Sequence, residues 1–121
     1  MVSMDTSTAM KSYQSGEKIK SELIIVSQLT LALTGFPETQ RSGGKKMLLL
    51  LAEQVRSEAV FAAQSTGQKD FTKAVNAVNE AISLLESDQP EKAVEKFAVA
   101  ISATTTPAQE SWQVLSDHGL L

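Results

Sequence analysis

The chain has 121 residues, no cysteine and a net charge of −3; hydrophobic residues make up 42% of it and aromatics only 5%. That is enough for one domain with a core of Ala, Leu, Ile and Val, and it favours helix packing over a β-sandwich. Disulfides, thiolate chemistry and cysteine-ligated metal are excluded.

Residues 1–60 hold seven basic and six acidic groups, and residues 61–121 hold four and eight. Neither half has the basic excess of a nucleic-acid-binding domain. The opening stretch MVSMDTSTAMKSYQSGEK lacks the apolar region of a signal peptide. The apolar runs LIIV (23–26) and MLLLLA (47–52) are far shorter than the ~20 residues of a membrane span. The reading is therefore a cytoplasmic chain with no membrane partner.

Residues 1–14 are polar and unpatterned and are expected to form a flexible tail, with a single domain over 15–121. A helical pattern starts at the latest near Gly16 and places Ile19, Leu23, Val26 and Leu33 on one stripe, with Thr30 in the remaining place. Ile25 and Leu29 widen that stripe to about half the circumference, so this helix is expected to be deeply embedded. Thr34-Gly35-Phe36-Pro37 ends it. Two adjacent glycines, Gly43 and Gly44, cost a helix about 2 kcal/mol relative to alanines, so 38–44 reads as a loop or frayed turn.

A second helix spans about 45–64, with Leu48, Ala52, Val55, Ala59 and Ala62 at steps of four and three, and Ser65-Thr66-Gly67 closes it. Asp70 is the expected N-cap of a third helix carrying Phe71, Val75, Val78, Ile82 and Leu85, with Ala74 and Ala81 beside them. After the break at Ser87-Asp88-Gln89-Pro90, a fourth helix turns Ala93, Val94, Phe97, Ala100 and Ile101 inward. Thr106-Pro107 then reads as the start of a short last helix holding Trp112 and Leu115. The expected fold is all-α: an antiparallel bundle of four main helices plus a short C-terminal helix.

Within PEKAVEKFAVAIS, Ala93, Phe97 and Ala100 are spaced as small, aromatic and small residues, and Ala81 supplies a small contact in the preceding helix. Residues 74–105 thereby resemble one tetratricopeptide-type helix hairpin. The resemblance implies a helical hairpin and an adaptor that holds a peptide or helix. Ala77 stands where the motif has a large aromatic, the closing proline comes late at Pro107, and no second copy follows the roughly 34-residue period.

No constellation for catalysis emerges. His118, the single histidine, lies in a C-terminal Asp-His-Gly and reads as a solvated residue. There are no Glu-x-x-His pairs for a di-iron site and too few His for zinc, so no metal, cofactor or catalytic residue is assigned and the chain reads as a non-enzyme. Glu80, Glu86, Asp88, Glu91 and Glu95, mixed with Lys92 and Lys96, read as solvated helix faces. Arg41-Ser42-Gly43-Gly44-Lys45-Lys46 precedes a helix and is the candidate anion-binding turn, through Arg41, Lys45 and Lys46, although Thr39 and Lys46 break the phosphate-loop pattern.

The strongest functional signal is surplus apolar surface. Leu50 and Phe61 lie nearly opposite the core stripe of the second helix, Met47 flanks that stripe, and Ile24 and Leu31 point away from the stripe of the first. Three explanations stand: a central helix wrapped by the others, a homo-oligomer seam, or an open groove for a partner. The leading reading is a protein–protein interaction or assembly module, a homodimer formed through helices one and two at Ile24, Leu31, Met47, Leu50 and Phe61. The alternatives are a tetratricopeptide-like adaptor with Asn76 and Asn79 along its groove, and anion or nucleic-acid binding at the 41–46 turn.

Overall fold

A computed structural model describes residues 4–121 and contains, among them, four α-helices: α1 (Thr6–Leu33), α2 (Glu38–Thr66), α3 (Lys69–Glu86) and α4 (Pro90–Asp117). Each buries a stripe whose members follow at alternating steps near three and four. In α1 the stripe is Ala9, Ser12, Gly16, Ile19, Leu23, Val26, Thr30 and Leu33, and in α2 it is Leu48, Ala52, Val55, Ala59 and Ala62. A mean step of 3.5 residues keeps each seam turned toward shallowly crossing neighbours. Helix α1 packs on α2 and α4, and α3 packs on the same two, so the helices form a ring around a core centred on the fully buried Phe71 and Phe97.

Helix α1 starts well before the expected domain boundary. Asp5 caps it, its carboxylate accepting from the Thr8 amide at 2.6 Å. Residues 6–14 of the expected tail are therefore helical, and residues 1–3 of that expectation lie outside the described residues. The early seam is made of Ala9, Ser12 and Gly16, small residues that give no hydrophobic signal yet are buried. The seam is also narrower than expected: Ile25 and Leu29, read as embedded, are 52% and 46% exposed.

Residues 38–44 are helix and not loop. The Pro37 carbonyl accepts from the amides of Gln40 and Arg41, and α2 runs on through both glycines. A Cβ at Gly44 would sit 2.9 Å from Phe36 Cε2 and 3.0 Å from Leu33 Cδ1, whereas one at Gly43 meets nothing within 4 Å. Gly44 is thus the place where the α1–α2 turn folds back on its helix, and that packing offsets the intrinsic cost of the glycine pair.

Asp70 is not the cap of α3. Gln68 holds that place, and Asp70 stands in the first turn, where a carboxylate favours the helix dipole, 3.6 Å from Lys73 Nζ. Helix α3 ends in a left-handed cap: Asp88 has φ 58°, and the Gln89 and Asp88 amides donate to the Leu84 and Leu85 carbonyls.

The expected short fifth helix is the continuation of α4, which passes through the buried Pro107 to Asp117. A proline inside a helix costs roughly 3 kcal/mol. Packing against α1 opposes that cost: a Cβ on Gly16 would lie 3.1 Å from Ala108 Cβ and 3.3 Å from the Thr104 carbonyl oxygen. Nearby hydroxyls add bonds to helix carbonyls, with Thr104 and Thr105 donating to Ile101 and Ser111 donating to Pro107.

Gly43→Ala is expected to raise unfolding stability in urea by about 0.5–1 kcal/mol through helix propensity alone. Gly44→Ala should show no such gain, because the new methyl displaces the Phe36 ring; equal gains at both positions would contradict this account of the turn. Gly16→Leu should cost about 1–3 kcal/mol by forcing α1 and α4 apart, measured in the same denaturation series.

Candidate functional site

Two rows of side chains flank the core seam where α1 meets α2. On α1 the row is Lys18, Glu22, Ile25 and Leu29, and on α2 it is Met47, Leu51, Gln54, Glu58 and Phe61, each again at steps of three and four. Lys18 Nζ lies 2.8 Å from Glu58 Oε1, and Leu33 lies beside Gly44. Between those two points Ile25 and Leu29 fall opposite the stretch 47–52 of α2. One end of the face is a shallow groove lined by Ser15, Lys18, Ile19, Gln54, Ser57, Glu58 and Phe61. The other end gathers Ile25, Leu29, Met47 and Leu50, all exposed.

The structure brings together only part of the expected interface. Met47, Leu50 and Phe61, at 74%, 68% and 69% exposure, stand on the open side of α2. Because α2 packs only on α1 and α3, it is not a central helix wrapped by the others. Ile24 and Leu31 are exposed too, but they share a seven-residue row with Met10 and Glu17 on the other flank of α1. Glu17 lines a groove against α4 with Tyr13, Gln109 and Trp112, so Ile24 and Leu31 belong to a different face. In their place the α1–α2 face takes Ile25 and Leu29. The signal for them was the row 18–22–25–29 itself: two apolar residues continuing a row begun by Lys18 and Glu22.

Beside the groove lined by Lys18 and Phe61 two carboxyl groups meet. Among the described residues, Glu22 Oε1 and Glu58 Oε2 are both shielded from solvent and have no other hydrogen-bond partner, so a proton shared between the carboxyls satisfies both. Burial, then the hydrogen bond to Glu58 and its charge, push Glu22 up to about 7, against the pull of Lys18. Burial also pushes Glu58 upward, but hydrogen bonds from Glu22 and Lys18 and the Lys18 charge outweigh it, and the net displacement is downward.

The basic turn is used internally. Arg41 donates from Nε to the Phe36 carbonyl at 3.1 Å and from Nη2 to the Thr34 carbonyl at 3.2 Å. Lys45 Nζ donates to the Glu86 carbonyl and to Asp88 Oδ1, both at 2.9 Å. These cations cover the C-terminal carbonyls of α1 and α3, an ordinary role for Arg and Lys, while Lys46 is exposed. His118 donates from Nδ1 to the Val114 carbonyl at 2.8 Å at the end of α4. Asn76 is exposed, and Asn79 accepts from Arg56 Nη1 at 3.0 Å, so its amide joins α3 to α2. Ala81, Ala93, Phe97 and Ala100 are all buried between α3 and their neighbours in the core.

No protein-family model matches the chain, and no curated protein or solved structure matches it either. Among the described residues, no helix is long and apolar enough to cross a membrane.

The carboxyl pair carries a pH signature. Glu22 is raised from 4.5 to about 7 in the folded chain, so its contribution is complete below pH 4.5 and is lost as pH rises through about 7. Glu58 is displaced the other way, so its contribution is present above 4.5 and lost as pH falls through its lowered value. Thermal melts should therefore show stability declining between about pH 5 and 7.5 in the wild type. Glu22→Gln, which keeps a donor beside Glu58, should flatten that decline; an unchanged slope in the variant would refute the shared proton.

Proposed function

We propose that the protein is a non-enzymatic assembly module that self-associates through the open face of α1 and α2. The observation that carries this reading is the exposure of Met47 and Leu50 beside Ile25 and Leu29 at one end of the α1–α2 face, with Phe61 exposed at the other end. Large apolar patches rarely stay in contact with water, and covering a large apolar side chain contributes about 2 kcal/mol. The contacts of Lys18 with Glu58, Lys45 with Asp88 and Arg56 with Asn79 run in opposite senses along neighbouring helices, which supports an antiparallel bundle as the scaffold. Arg41 and Lys45 are occupied by carbonyls of the α1–α2 turn and of the end of α3, which favours assembly over anion binding as the function.

Light scattering behind a sizing column, over a range of concentrations, should give a stable multiple of 13.0 kDa. The double variant Leu50→Glu, Phe61→Glu should elute at the monomer mass with unchanged helical circular dichroism. A wild type that stays monomeric throughout, or a variant with the wild-type multimer mass, would overturn the reading.

A further inference from the structure

On the other flank of α1, where it meets α4, the chain's single tyrosine and single tryptophan line one groove. Tyr13 and Glu17 stand one helical turn apart on α1, and Gln109, Trp112 and Gln113 share a face of α4 at steps of three and four. The two rows are brought together by the close approach of the helices between them. A Cβ on Gly16 would lie 3.1 Å from Ala108 Cβ, and the buried Ala108 lines the groove beneath the larger side chains. A small floor between larger flanks leaves an open trough of about 330 Å³, at the lower end of the range for ligand sites.

We propose that this trough is a binding site for a guanidinium group, filled by an arginine side chain on an exposed segment of another protein. Charge selects a cation. Glu17 is exposed, and the described ion pairs engage Glu58, Asp88, Asp70 and Glu80 instead. A carboxylate beside two aromatic rings attracts an organic cation twice over, by its charge and by the ring quadrupoles, and indole is the strongest of the side-chain rings in this respect. Shape selects guanidinium. Two rings in an open trough do not enclose an ammonium on all sides, whereas a planar guanidinium lies flat on one ring and turns two N–H groups to a carboxylate. The amide oxygens of Gln109 and Gln113 are further acceptors in the same trough. The Gln113 amide nitrogen already donates to Asp117 Oδ1 at 2.8 Å, which leaves its carbonyl oxygen as the atom offered to a donor. Because the trough is open, the aliphatic stem of an arginine can lie along it while its backbone stays in water. The chain does not supply that arginine itself. Its two arginines are engaged within the bundle, Arg41 with carbonyls of the α1–α2 turn and Arg56 with Asn79.

Trp112 is the sole indole, so its fluorescence reports on this groove. The intact chain is titrated at low salt with a capped Gly-Arg-Gly peptide, and amide NMR spectra are followed in parallel. The comparison peptides carry citrulline, which keeps the shape without the charge, or lysine, which keeps the charge without the plane. The expected result is a saturable change at Trp112 with shifts at Tyr13, Glu17, Gln109 and Gln113, and an affinity for the arginine peptide about ten-fold above either comparison. Glu17→Gln should weaken arginine binding by about ten-fold. Glu110→Gln, the same charge change at an exposed α4 residue that does not line the groove, should leave it unchanged. No saturable change with the arginine peptide, equal affinity for the citrulline or lysine peptide, or equal losses in the two variants would overturn the guanidinium site.

Discussion

Ring closure depends on how near the first helix comes to the last. At Gly16 the two backbones are so close that a single added carbon would touch both Ala108 Cβ and the Thr104 carbonyl. The seam around that point is built from Ala9, Ser12, Gly16, Thr104, Pro107, Ala108 and Ser111, all buried. Small residues there let α1 and α4 pack closely around Pro107, and that packing opposes the cost of a proline inside α4. With α1 committed on one side to α4 and inward to the core, its remaining flank is the one it shares with α2. That flank leaves Ile25 and Leu29 exposed beside Met47 and Leu50 of α2.

The consequence is a bundle with unequal sides. Toward α3, the α2 helix is tied by Arg56 to Asn79 and by Lys45 to the end of α3, polar contacts that finish the surface. Toward α1, the boundary between the helices is apolar at one end, and toward the other it carries Phe61 and a carboxyl pair beside Lys18. Two carboxylates whose facing oxygens are shielded from water repel unless one takes a proton, which is why Glu22 is pushed up to about 7. The same site therefore combines an uncovered apolar surface with a titrating centre.

Much of the architecture was legible in the residues, for physical reasons that also explain the failures. Leu48, Ala52, Val55, Ala59 and Ala62 announced α2 because a 3.5-residue repeat of apolar side chains has few other interpretations. The same logic could not see α1 before Gly16, where the buried seam is Ala, Ser and Gly and carries almost no hydrophobic contrast. Gly43-Gly44 and Pro107 were read by intrinsic propensity, and in both places tertiary packing prevailed: Phe36 needs the space at Gly44, and the α1 seam buries Pro107. Of the exposed apolar residues on this face, Leu50 and Phe61 stood out in the sequence because they oppose a clean stripe, and Met47 because it flanks that stripe. Ile25 and Leu29 were missed because a wide stripe and a narrow seam with an exposed flank look alike until the neighbouring helix is placed. The Glu22–Glu58 pair joins residues 36 apart in sequence, and nothing local to either carboxylate signals the other.

The most direct measurement of the central claim is a dilution series of amide and methyl NMR spectra of the intact 13.0 kDa chain. If α1 and α2 present the self-association face, shifts and line widths should change with concentration at Lys18, Glu22, Ile25, Leu29, Met47, Leu50, Gln54 and Phe61. Tyr13, Ile24, Leu31 and Trp112, on the α1–α4 side, should stay constant. Spectra that do not change with concentration, or changes confined to the α1–α4 side, would contradict it.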